Sequence, residues 1–255
     1  MLKKILIWTA AILLLFLGVF VISLLSPSLF YSHAQAYGQI RILHNQALEE
    51  GWENQIDTAL QAIESSVLYD PNFQIELCLQ DGSSYPQFVE LVFGEAFAFG
   101  FASKAVLNMP VQPESGYIEK NGKRRDLAEL LAHEFIHNFQ YQKYGFATLN
   151  FPFWKLEGYA EYMMRMEKDD LDLRYAISHL LKYEEKGSYN YDWVEWENEI
   201  GTPHIYLKSN IMVQYLMEIE GLTYDEIVKD QRSTEAVFEE VLAWYEKNPM
   251  PALFP

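Results

Sequence analysis

Asp126-Leu127-Ala128-Glu129-Leu130-Leu131-Ala132-His133-Glu134-Phe135-Ile136-His137-Asn138-Phe139 is the stretch on which the reading of this chain turns. Asp126 and Glu129 have the spacing of a capping box, so the sequence predicts a helix over 126–143. Leu127, Leu130, Leu131, Ala132, Phe135, Ile136 and Phe139 put apolar side chains on nearly every face, the mark of a buried helix. His133 and His137 lie one turn apart on one face, where both imidazoles can close on a single ion. Glu134 is about 100° further round the helix than His133. That makes it a poor third ligand but places it well to hold and deprotonate a metal-bound water. Burying two histidines and a carboxylate costs several kcal/mol unless each finds a partner, and one cation would satisfy all three.

A two-histidine site needs a further protein ligand and an open position. Gln140 and Lys143 stand where the H-E-x-x-H-x-x-G-x-x-H continuation would have Gly and His. Further along, the chain instead reads Phe153-Trp154-Lys155-Leu156-Glu157-Gly158-Tyr159-Ala160-Glu161-Tyr162. The W-x-x-E-G-x-A pattern resembles the gluzincins, metallopeptidases whose third ligand is a glutamate on a second helix. It is similar to the corresponding segment of aminopeptidase-N-like enzymes and of small thermolysin-like domains. The gap from His137 to Glu157 is one residue longer than the aminopeptidase spacing, so the likeness is to the wider group.

The resemblance implies Zn2+ held by His133, His137 and Glu157, with Glu134 as general base in hydrolysis of a peptide or protein substrate. Zinc over other divalent metals is inferred from ligand type. Gly158 beside Glu157 would let another backbone approach closely, which favours Glu157 over Glu161 as the ligand. Two roles stay open for Glu161. It is either a carboxylate that orients a zinc histidine through its far nitrogen, as the acidic residue of gluzincins does there, or a solvent-facing helix charge. The family also supplies a Tyr or His from a later helix to the oxyanion, and here Tyr206 and His204 compete. His204 as a fourth metal ligand would close the site instead.

The N-terminus bears on where this chemistry takes place. After Met1-Leu2-Lys3-Lys4, the run Ile5 to Leu25 carries no charge and is long enough to span a bilayer. Lysines before it and no basic cluster just after it predict a cytoplasmic N-terminus with the remainder outside. A cleaved signal peptide would have a shorter apolar region, and the small-residue site Ala34-Gln35-Ala36 lies well beyond this one. We therefore read residues 1–26 as a retained anchor in the cell membrane, 27–36 as a linker, and 37–255 as one extracytoplasmic zinc metallopeptidase-like domain.

With a single cysteine, Cys78, there is no intrachain disulfide, and its alternating surroundings mark it as a small buried hydrophobe. A formal charge of −17 argues against nucleic-acid binding. The fold class expected is α+β, a thermolysin-like zincin lobe with a small antiparallel-type sheet followed by active-site helices. In detail, Gln39 to Leu68 has helical spacing, while 73–79, 88–93, 96–102 and 104–109 look strand-like. Asn121-Gly122 signals a turn. Helices are expected near 153–168, 170–186, 205–220, 223–230 and 234–247. Lys104 to Asn108 is a candidate edge strand for an extended peptide. The acidic, aromatic segment Tyr183 to Ile200 is either a lid or a solvated loop whose aromatics pack on the body.

Two other classes remain for the whole. One is a catalytically inactive domain of the same fold that binds a partner at the cell surface. The other is an interaction protein in which H-E-x-x-H is accidental.

Overall fold

Three short apolar runs alternate and so build a sheet with buried apolar residues on both faces. Ile40, Ile42, Ile75, Leu77, Ala105 and Leu107 point to one face, and Leu43, Cys78 and Val106 point to the other. The computed structural model describes residues 2–165, 172–196 and 200–250. Among these, α1 (Leu2–Leu25) leads through a 3-10 turn, Pro27–Phe30, into β1 (His33–Tyr37) and β2 (Ile40–His44). Then come α2 (Trp52–Ile63), β3 (Ile75–Cys78), α3 (Tyr85–Phe93), β4 (Ala98–Phe101) and β5 (Lys104–Leu107). A hairpin of β6 (Tyr117–Lys120) and β7 (Lys123–Asp126) precedes α4 (Leu127–Tyr144), α5 (Phe153–Met163) and α6 (Leu173–Glu185). A second hairpin, β8 (Trp193–Glu195) and β9 (Gly201–Pro203), leads into α7 (His204–Gln214), which runs on as a π-helical segment, Tyr215–Ile219. Helices α8 (Tyr224–Lys229) and α9 (Thr234–Lys247) complete the order.

The architecture is α+β, but the expected antiparallel sheet is mixed. Its order is β1-β2-β3-β5-β4, with β2, β3 and β5 parallel and antiparallel strands at both edges. Helices α2 and α3 lie in the connections between the parallel strands and return the chain to the same end each time. The strand expected at the edge, Lys104 to Asn108, contributes β5, which is internal and buried along its length. The edge is β4.

Two other expectations change. Within the helical reading of Gln39 to Leu68, residues 40–44 form β2, because Gly38, at φ 57°, turns β1 back on it. The first strand thus begins at His33, inside the span read as a linker. Residues 88–93, rich in the aromatic and branched types that favour strands, form the end of α3. Pro86 starts that helix, and Tyr85 and Val89, one turn apart, pack on Leu43, Cys78 and Val106. The downstream helices fall where expected, except that residues 166–171 lie outside the described residues.

Helix α4 crosses the inner face of the sheet, where a Cβ on Gly100 of β4 would overlap the Glu134 carbonyl. Helix α5 packs against α7 at comparable proximity, since a Cβ on Gly158 would overlap the Ser209 carbonyl. These two glycines bring backbones against the residues that carry the motif. On α1, Trp8–Leu25 is long and apolar enough to cross a membrane, and no residue of it is fully buried.

The Gly158 contact gives a stability test. Gly158→Ala adds a methyl group against backbone rather than a movable side chain, so it should lower unfolding stability by about 1–3 kcal/mol. Urea unfolding in detergent checks this, and unchanged stability would mean that α5 and α7 are further apart than described.

Candidate metal centre

Helix α4 is capped where the sequence expects, with the Asp126 carboxylate accepting from the Glu129 amide at 2.9 Å. One turn apart on that helix, His133 and His137 bring their Nε2 atoms to 3.0 Å. Glu157 on α5 places Oε2 at 3.1 Å from His133 Nε2 and 3.3 Å from His137 Nε2. A tetrahedral zinc with bonds of about 2.0–2.1 Å has ligand atoms about 3.3 Å apart. The three residues could therefore hold a metal ion.

The far nitrogens of both rings face acceptors. Gln140 donates its Nε2 to the Leu156 carbonyl at 3.0 Å and to Tyr224 Oη at 2.8 Å, which fixes which end of the amide is oxygen. Its Oε1 lies 2.8 Å from His137 Nδ1, and an amide oxygen only accepts, so Nδ1 carries the proton. His133 Nδ1 lies 3.2 Å from Glu161 Oε1, which also only accepts when ionised. Both Nε2 atoms converge on Glu157 Oε2. Three such groups in contact need a positive charge among them, a proton on His133 or a cation in its place.

Glu161 is fully buried and is not the solvent-facing charge of the alternative reading. Arg125 Nη2 approaches Oε1 at 2.7 Å, while Arg165 Nη2 and Thr202 Oγ1 reach Oε2 at 3.2 and 3.3 Å. Burial alone would raise its pKa, but Arg125, His133 and Arg165 outweigh that and hold it ionised, well below the usual carboxylate range. Burial likewise pushes Glu157 up, and His137 and His133 bring it down to about 2. For His133, burial disfavours the charged ring, yet the Glu157 and Glu161 contacts raise it to about 9. The Glu134 carboxyl, buried next to these groups, is raised above its ordinary value chiefly by that burial.

Glu134 and His133 border a cleft of about 250 Å³ with Phe97, Trp193 and Tyr206. The Tyr206 ring lies 5.9 Å from that of His133 and edge-on to Phe153 at 5.4 Å. Its hydroxyl is pushed well up by burial and by Glu157 and Glu134, so it stays protonated. His204 turns elsewhere. Its Nε2 lies 3.2 Å from Glu184, and it is not part of the metal-ligand cluster found among the described residues. Part of the acidic, aromatic segment forms a cleft wall, with Trp193 stacked on Phe97 at 5.8 Å and Trp196 on His179 at 4.5 Å. Glu197 and Glu199 of that segment lie outside the described residues.

Sequence reasoning missed Arg125, Gln140, Arg165 and Thr202. Gln140 carried a usable signal, being one turn from His137 on the same helix. Thr202 had none, since it meets Glu161 across 41 residues of chain. Comparison with protein-family models, curated proteins and solved structures finds no match for this chain.

The purified chain should take up one divalent cation, lost in His137→Ala and Glu157→Ala and held about 10–100-fold more weakly in Gln140→Ala. Elemental analysis and metal-buffer titration measure both effects, and full uptake by Glu157→Ala would remove α5 from the site. Because His133 must lose its proton to coordinate, affinity should climb as pH rises toward 9 and flatten above it. Calorimetry in buffers of different ionisation enthalpy reads the released protons, and a pH-independent affinity with no release would contradict the shift.

Proposed function

We propose that this chain is a membrane-anchored zinc metallopeptidase of the gluzincin kind, with a thermolysin-like catalytic lobe outside the cytoplasm. The observation that carries this reading is the convergence of His133 Nε2, His137 Nε2 and Glu157 Oε2, 3.0–3.3 Å apart, beside a buried glutamate at the edge of a cleft. His133, His137 and Glu157 would hold the metal. When bound, zinc supplies Lewis acidity, lowering the pKa of a water and polarising a carbonyl.

The remaining work falls to the chain's own side chains. Glu134 takes the proton of the attacking water and delivers it to the leaving amine nitrogen. Burial helps, because a carboxylate whose pKa is raised is a stronger base toward the attacking water. Tyr206, protonated and at the cleft, donates to the carbonyl oxygen as the carbon becomes tetrahedral. Gln140 orients His137 through Nδ1, and Glu161 lies beside Nδ1 of His133. The role of peptide-binding edge moves from Lys104 to Asn108 onto β4, whose Ala98 lines the cleft and whose Gly100 abuts Glu134. The anchor is α1, oriented by Lys3 and Lys4 on its cytoplasmic side.

A quenched-fluorescent peptide library separates these roles. Glu134→Gln should retain its metal and lose about 10²–10⁴-fold in kcat. Tyr206→Phe should lose about 10²–10³-fold in kcat with KM little changed. A metal-loaded Glu134→Gln chain with wild-type turnover would sink this mechanism. A metal-loaded wild type that cleaves nothing in the library would favour the non-catalytic, partner-binding alternative.

A further inference from the structure

The outer face of the sheet is divided. Toward one end it carries Leu43, Cys78 and Val106, with Phe99 of β4 beside Val106. Toward the other end it carries a charged ladder, Arg41 to Glu76 at 3.1 Å and Glu76 to Lys104 at 3.0 Å. Helix α3 covers the apolar half, and the end of α1 reaches the same place. Tyr85 Oη donates to the Leu24 carbonyl at 2.6 Å, and the Phe88 ring lies edge-on to Phe20 at 5.6 Å.

The connection from α1 to the sheet has no slack. Ser26 still donates to the Ile22 carbonyl. Asn45 and Ser83 both donate to the Phe30 carbonyl at 3.2 Å, and Tyr31 Oη donates to that of Leu79 at 2.9 Å.

Helix rise sets the depth. At about 1.5 Å per residue, the uncharged run Ile5 to Leu25 is about 31 Å long, the thickness of a bilayer's hydrocarbon core of about 30 Å. Leu25 then marks the outer boundary, and Phe20, five residues earlier, lies about 7 Å inside it. Phe88 touches Phe20, so α3 reaches that level too. The exposed side chains of α3 fit such a place. Leu91 is 85% exposed and Phe93 48%, and Leu29 in the preceding turn is 68% exposed. The helix's one charged residue, Glu90, is bonded to Lys120 at 2.6 Å.

We propose that α3, with Leu29 and the end of α1, is a lipid-contacting surface that seats the catalytic lobe in the outer interface of the bilayer. The proposal rests on reading α1 as a membrane anchor. A soluble protein partner would also cover Leu91 and Phe93. Lipid is favoured because the patch is continuous with α1 and, through the Phe20–Phe88 contact, lies partly below the level where the anchor leaves the hydrocarbon.

Bimane fluorescence of the full-length chain in nanodiscs tests this. Single cysteines are introduced as Leu14→Cys, Leu91→Cys and Leu149→Cys, all at exposed positions, with buried Cys78 left unlabelled. Leu149 lies in the 3-10 turn beyond α4, which covers the opposite face of the sheet. Lipids brominated deep in the acyl chain should quench Leu14→Cys. Lipids brominated near the headgroup should quench Leu91→Cys at least twofold and leave Leu149→Cys unchanged. Quenching at Leu14→Cys without quenching at Leu91→Cys would overturn the proposal while the anchor stands, as would equal quenching at Leu91→Cys and Leu149→Cys. No quenching at Leu14→Cys would overturn the anchor reading and this proposal with it.

Discussion

A carboxylate with no solvent exposure is the point from which this structure is organised. Glu161 meets Arg125 from β7, His133 from α4, Arg165 just beyond α5 and Thr202 from β9. A buried ion of this kind is tolerable only when each oxygen is satisfied, and leaving it short of one partner costs about 3–5 kcal/mol. The four elements are thus held in register by electrostatics as well as by packing. The same carboxylate lies 3.2 Å from the His133 ring, so what joins the elements also borders the candidate metal centre.

Arg125 reaches that position through a turn. Asn121 and Gly122 both have positive φ, 54° and 74°, the conformation of the two-residue turns that match strand twist. The turn fixes the pairing of Tyr117 with Asp126 and Ile118 with Arg125. Slipping that register by one residue would send Arg125 to the other face of the hairpin. Asp126, next in the chain, then caps α4. Hairpin turn, buried arginine, cap and metal-directed histidine form one causal sequence.

This sequence also explains what could be read without a structure. His133, Glu134 and His137 were legible because helix geometry alone relates them, and so was the cap on which their helix begins. Glu157 and Glu161 share a helix, but only resemblance tied that helix to the first. Arg125 and Thr202 were invisible because their roles arise from tertiary contact between hairpins and α5. The sheet was misjudged for a similar reason. Ile42 and Leu43 fit a helical spacing as well as a strand's alternation, and Gly38 decided between them. Phe88 to Phe93 has a strand's composition but packs at a helix's period because Pro86 starts it as one.

The short connection between α1 and β1 limits how far the site can travel. A flexible tether of n residues would let a domain sweep about 5–6 Å × √n. Here the residues after Leu25 are taken up by a 3-10 turn and by hydrogen bonds to the body. On a chain anchored by α1, the cleft would stay at one height and one tilt. Encounters would then be governed by lateral diffusion in a plane rather than by concentration in bulk, and a scissile bond at the wrong height would go uncut whatever its side chains.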